Sequence, residues 1–188
     1  MNSELFNKIN YKKAYRKNRL EAALWVQANP ETFEELLDYC FGKDLELATK
    51  ATWALEFIAR DNLKMLYPYL NKFFQNLPSV EGHGAIRSCA LISELLCIEY
   101  YKTKNEQLRA IFTSEYKEIL TECAFDWMIS DQKVACQARA MTVLYFLGTE
   151  FEWIHPELEQ IIEKNIHQGS AGYKSRGQHT LENIRNFR

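Results

Sequence analysis

Four basic residues recur at one register of the 188-residue chain: Lys50, Arg87, Arg139 and Arg176. A row of such cations can hold carboxylates or phosphates, because arginine presents a planar fork of donors and lysine a compact charge. The structural alternative is pairing with an acid just upstream: Asp44 six residues before Lys50, Glu81 six before Arg87 and Asp131 eight before Arg139. Arg176 has no acid in that range, which makes it the arginine expected to be open to a ligand carboxylate. Trp53 stands three residues after Lys50, where the other repeats carry Ala90, Thr142 and His179, so its ring either fills a gap or stands in a groove. Tyr173 and Lys174 lie at the open end of the row. The candidate binding residues are therefore Lys50, Trp53, Arg87, Arg139, Tyr173, Lys174 and Arg176.

Other chemistries find less support. The joint Gly169 to Gly177 places Ser170, Lys174, Ser175 and Arg176 near a helix start, where backbone amides could hold an anion. It is not a P-loop, since Tyr173 interrupts the Gly-Lys-Ser core and a helix precedes it where a strand is required. His83, His155, His167 and His179 show no paired metal-ligand spacing, and His155, just before Pro156, reads as a turn residue. The five cysteines (Cys40, Cys89, Cys97, Cys123 and Cys136) are odd in number, lack a CxxC pair and fall on apolar helix faces. They read as buried thiols in a reducing compartment, and a cytoplasmic location is expected. No catalytic residue, metal ligand or cofactor site is assigned.

The elements that position these residues are helical. Only 7 glycines and 4 prolines punctuate the chain. Between them apolar residues recur at three and four rather than two, as in Leu91, Leu95 and Ile98. The spacing predicts helices over 3–28, 31–41, 45–60, 64–77, 84–102, 114–129, 132–147, 156–168 and 172–187. Aligning the four basic residues exposes a repeat with intervals of 37, 52 and 37 residues. A small residue follows each (Ala51, Ser88, Ala140, Gly177), then Leu55, Ile92, Leu144 and Leu181 five positions on, and Ile58, Leu95, Leu147 and Ile184 eight on. Helices of this type alternate with a second type that opens near Pro30, Pro68 or Pro156, or at Ser114 without a proline. The expected organisation is one domain over 1–188. A capping helix fills 1–28, helix pairs occupy 30–61, 62–102, 114–148 and 155–188, and 103–113 is an insertion. Polar end faces are expected from Lys8, Lys12, Lys13, Arg16, Lys17 and Arg19 at one end and from Lys174, Glu182, Arg185 and Arg188 at the other.

This pattern resembles HEAT-like, or armadillo-type, repeats, whose second helix typically opens Val-Arg followed by small and apolar positions; Ile86-Arg87-Ser88-Cys89-Ala90 is the nearest match. The resemblance implies an all-α fold, an α-α superhelix (α-solenoid) in which neighbouring pairs share one core. The second helix of each pair would line the concave side and carry the basic row. Phe125-Asp-Trp-Met-Ile, Tyr145-Phe-Leu-Gly-Thr, Trp153-Ile-His-Pro-Glu-Leu and Tyr173-Lys-Ser-Arg look like a short bacterial family of helical-repeat chains that often carries the name adenylosuccinate lyase. The residues do not support that activity: the Ser-Ser-x-Met-Pro loop of the lyase superfamily has no counterpart, and no proton donor can be assigned.

Composition bounds the function. The chain is 47% hydrophobic and 26% charged, which excludes disorder. Its net charge of −2 argues against a dedicated nucleic-acid binder. The longest charge-free stretch, Ala140 to Thr149, is far too short to span a bilayer. Residues 1–28 hold six basic residues against Glu4 and Glu21, a basic face that could touch anionic lipid or nucleic acid but more simply solvates a cap. The expected function is a non-enzymatic scaffold that binds a peptide or protein, with a homodimer kept open as one form of partner. The alternative is nucleic-acid binding in the manner of HEAT-like DNA-alkylation-repair proteins.

Overall fold

The computed structural model describes residues 2–187, and no strand occurs among them. Eleven α-helices follow one another: α1 (Ser3–Ile9), α2 (Arg16–Ala28), α3 (Phe33–Cys40), α4 (Leu45–Asp61), α5 (Leu70–Asn76), α6 (His83–Cys97), α7 (Glu106–Ile111), α8 (Ser114–Ile129), α9 (Val134–Leu147), α10 (Ile154–Ile166) and α11 (Ala171–Phe187). The chain divides into two units, one up to Leu95 and one from Leu96, the boundary falling near the end of α6.

In the first unit α4 is the central element, packed by α1, α2 and α3. Asp44 starts it, its Oδ1 accepting from the Glu46 and Leu47 amides at 3.1 Å each. The helix then buries Ala51, Leu55 and Ile58, the small and apolar positions of the repeat. Two sequence expectations change here. The cap expected as one helix over 3–28 is two helices separated by residues 10–15. Side chains claim the carbonyls a continuous helix would use: the Arg19 guanidinium donates to Ala14 O at 2.8 and 3.1 Å, and Asn18 Nδ2 donates to Lys13 O at 2.7 Å. Tyr11 anchors this break to α4, its hydroxyl lying 3.4 Å from Lys50 O. The helix expected over 64–77 opens instead as a 3-10 segment, Leu63–Tyr69, before α5. Pro68 lies inside it, and proline supplies no amide for an α-helical bond. Lys72 of α5 ties back to α3, with Nζ 2.5 Å from Asp38 Oδ1 and 3.4 Å from Glu34 Oε1.

The second unit is built on α9, which packs against α8, α10 and α11. Ala140, Leu144 and Leu147 are fully buried on it. Gly177 of α11 matches Ala140 in the repeat, and a Cβ there would stand 2.9 Å from Ile162 Cγ2. The small position is therefore where two helices approach closely. The expected insertion 103–113 contains α7, capped by Asn105, whose Oδ1 accepts from Leu108 N at 3.0 Å. It follows a π-helical turn, Ile98–Lys102. His155 is not a turn residue as read from Pro156. It lies in the first turn of α10, 4% exposed, with Nε2 2.9 Å from Tyr145 O and its ring stacked on Tyr145. Gly148 makes room for it, since a Cβ at that position would run into the His155 ring. All five cysteines are free and buried. Lys174, Glu182 and Arg185 are exposed on α11, whereas Arg188 lies outside the described residues.

Candidate functional site

The basic row is spent largely on the fold. Lys50 is 7% exposed, with Nζ 2.6 Å from Glu46 Oε1 and 5.7 Å from the centre of the Tyr11 ring. Its partner is thus the acid one turn earlier on its own helix, while the expected Asp44 is occupied as the α4 cap. Arg87 does not pair with the expected Glu81 but with Glu56 of α4, Nη2 to Oε2 at 3.5 Å. Glu56 is a buried carboxylate held from several sides: Ser88 Oγ donates to Oε2 at 2.6 Å and Arg60 donates to Oε1 at 3.0 and 3.2 Å. A carboxylate can be kept inside only when its lone pairs are met in this way. Arg139 is half-buried on α9. Arg176, expected to be free, donates from Nη1 to Thr142 Oγ1 at 3.1 Å. Among the described residues no carboxylate lies within ion-pair distance of Arg176, so its charge is not neutralised.

The aromatic candidates divide between packing and partial exposure. Trp53 is half-buried, covered by the Arg19 guanidinium 4.7 Å from its ring, and Gly84 approaches its edge. Here the ring fills a gap beneath a cation. Tyr173, expected at an open end, is 4% exposed; Gly169 packs against it, and burial raises its phenol pKa. Its ring is a packing group, because the α10–α11 joint folds over it. Lys174 beside it is exposed. The structure therefore leaves Lys174 open to solvent and Arg176 half-open with an uncompensated charge, two residues apart on α11. Lys50, Arg87 and Trp53 lie in the first unit; Arg139, Tyr173, Lys174 and Arg176 lie in the second.

Sequence reasoning missed a caged lysine in the second unit. Lys117 of α8 is 5% exposed, and its Nζ sits 4.2 Å from the centre of the Tyr100 ring, 5.9 Å from that of Tyr101 and 6.0 Å from that of Phe112. It donates to Glu150 Oε2 at 2.7 Å, to Glu150 Oε1 at 3.0 Å and to Tyr100 Oη at 2.8 Å. Aromatic faces and a carboxylate together replace the water this ammonium loses. Burial is the chief cause that raises the Tyr101 phenol pKa beside it. One signal was available: Lys117 occupies the same helical row as Leu120 and Ala124, an interior row for a charge. The cage thus uses its cation internally and leaves no place for a ligand.

No group of three His, Cys, Asp or Glu side chains able to hold a metal occurs among the described residues, and no helix is long and apolar enough to cross a membrane. An all-α chain with recurring small and apolar inward positions and alternating helix types is an α-helical repeat protein. More narrowly, it belongs to the HEAT repeat domain family, whose model matches residues 8–184. That match gives no support to the lyase resemblance. Neither among curated proteins nor among solved structures does the chain have a match.

Proposed function

We propose that the chain is a non-enzymatic scaffold that holds a peptide or protein partner, with the whole chain acting as one repeat domain. The family supports the general role. The observation that carries it here is the contrast between inward positions packed to zero exposure, such as Leu55 and Leu144, and large apolar side chains left open, with Ile129 at 69% and Trp153 at 57% exposure. Trp153 stacks on Phe125 with centroids 5.6 Å apart, so its open ring extends an apolar surface rather than standing alone, and a contiguous apolar surface marks an interaction site. The buried free thiols fit a reducing, cytoplasmic setting.

Within the candidate row we assign partner contact to Lys174 and Arg176, with Arg139 beside them in sequence register, and a supporting role to Lys50, Trp53, Arg87 and Tyr173. The test is the double substitution Lys174→Ala with Arg176→Ala in a crosslinking pull-down from the native cell. Thermal stability should change little, since Lys174 is an exposed charge and Arg176 gives up only its bond to Thr142 Oγ1, about 1 kcal/mol, while recovery of the wild-type partner is lost. Unchanged recovery would remove these two residues from the interface. Loss of folding would make them structural.

A further inference from the structure

Two rows run side by side along α8. Glu118, Glu122 and Asp126 form one at i, i+4 and i+8; Thr121, Phe125 and Ile129 form the other. The three acids are exposed, and among the described residues none has a cationic side chain within ion-pair distance. Trp153 lays its ring nearly parallel to Phe125, centroids 5.6 Å apart at 22°, yet remains 57% exposed. The acidic row, Phe125, Phe151 and Trp153 line a groove of about 720 Å³. Like charges one turn apart repel, so the row carries a cost that a bound cation would relieve. Their field reaches inward too: the Cys123 thiol on the same helix is pushed up to about 12, first by burial and then by Asp126 and Glu122.

We infer that this face of α8 docks a basic amphipathic segment of a partner protein, its arginine or lysine side chains on the acidic row and Trp153, its apolar side chains on Phe125 and Ile129. The inference rests on the scaffold reading but names a different face from the Lys174–Arg176 pair. Charge selects the class of occupant, because phosphates of nucleic acid or of an anionic membrane would be repelled by three uncompensated carboxylates. Geometry selects the pattern. Glu118 to Asp126 spans eight residues, about 12 Å of helix rise, and a partner helix with cations at i, i+4 and i+8 repeats that spacing. A guanidinium can also lie flat on the open indole face.

The probe is a fluorescein-labelled amphipathic peptide with arginine at three successive i, i+4 positions and leucine on the adjacent row, titrated by fluorescence anisotropy. Wild type should bind it, Glu122→Gln with Asp126→Asn about tenfold more weakly, and Trp153→Ala about fivefold more weakly. Glu182→Gln, an exposed carboxylate on α11, should bind as wild type does. A triple variant, Glu118→Lys with Glu122→Lys and Asp126→Lys, should prefer the same peptide with glutamate in place of arginine. All these positions are at the surface, and circular dichroism verifies that each variant is folded. Equal affinity across the variants overturns the inference, as does equal binding of the arginine and glutamate peptides by wild type. Self-association of wild type in light scattering that is lost in Trp153→Ala overturns it as well, since the occupant is then a second copy. If the peptide fails but the Lys174–Arg176 pair still recovers a partner, this inference alone falls; if neither face takes a partner, the scaffold reading falls with it.

Discussion

Glu56 and Lys117 are charges that the fold takes inside: Glu56 is met by Arg60 one turn along its own helix and by Ser88 and Arg87 from α6, Lys117 by Tyr100 and Glu150. Removing the Lys117 ammonium leaves Glu150 and the Tyr100 hydroxyl without their shared partner. Lys117→Met is expected to cost about 2–4 kcal/mol, measured as the shift of the denaturant midpoint; a shift no larger than that of an exposed lysine would contradict the cage. Tyr11 gives a pH signature. Its phenol is raised from 10.0 to about 12, mainly by burial, with the Arg19 charge opposing. The folded state therefore holds this proton longer than the unfolded one. The stability it lends is complete below pH 10 and drains away as pH rises toward 12. Tyr11→Phe should lose stability less steeply across that window, and parallel curves for the two proteins would show that Tyr11 is not a source of the slope. At Gly148 the backbone is open to any side chain, yet His155 occupies the space of a Cβ. Gly148→Ala should cost about 1–3 kcal/mol through forced repacking, seen as a lower Tm.

At the scale of elements, the helices α4, α8, α9 and α11 are readable, and the break at residues 10–15, the 3-10 opening before α5 and the π-helical turn after α6 are not. Leu144 is fully buried on α9, so Leu144→Ala should cost about 2–5 kcal/mol, whereas Lys174→Ala on α11 should stay within about 0.5 kcal/mol of wild type. Comparable midpoint shifts for the two would refute the inward assignment. The apolar period is a local property, which is why α4, α8, α9 and α11 can be read from spacing. The break at residues 10–15 is only partly local: Asn18 and Arg19 hold loop carbonyls five residues back, but Tyr11 is held by a carbonyl of α4. The 3-10 segment before α5 is an intermediate case: Pro68 announces a disturbance, but whether a chain begins its helix before or after a proline depends on what the preceding turn packs against. The π-helical turn at Ile98–Lys102 leaves no mark in composition, and it sets Tyr100 and Tyr101 against Lys117.

For the molecule as a whole, burial of every thiol has a simple consequence. Cys40 and Cys123 are both pushed up by burial, and thiolate is the reactive form. Native protein should show no fast-reacting thiol toward a disulfide reagent, and denatured protein all five; one rapid equivalent in the native state would place a cysteine at the surface. What the sequence determined by itself was the family and the inward register. The small residue after each basic position and the apolar residues five and eight later obey a period set by the helix, whatever surrounds it. Ala51, Ala140, Leu55 and Leu144 are accordingly buried, while Leu95 is only half-buried. Only the tertiary structure decided which charges are spent and which are open. Spacing offers Asp44 and Glu81 as the structural partners of Lys50 and Arg87, and the fold pairs them instead with Glu46 and Glu56. Glu118, Glu122 and Asp126 look like any solvated helix face until Trp153 is placed beside them. An ion pair depends on distances between helices, and an open surface on what every neighbour fails to cover; neither is encoded in the spacing of one helix.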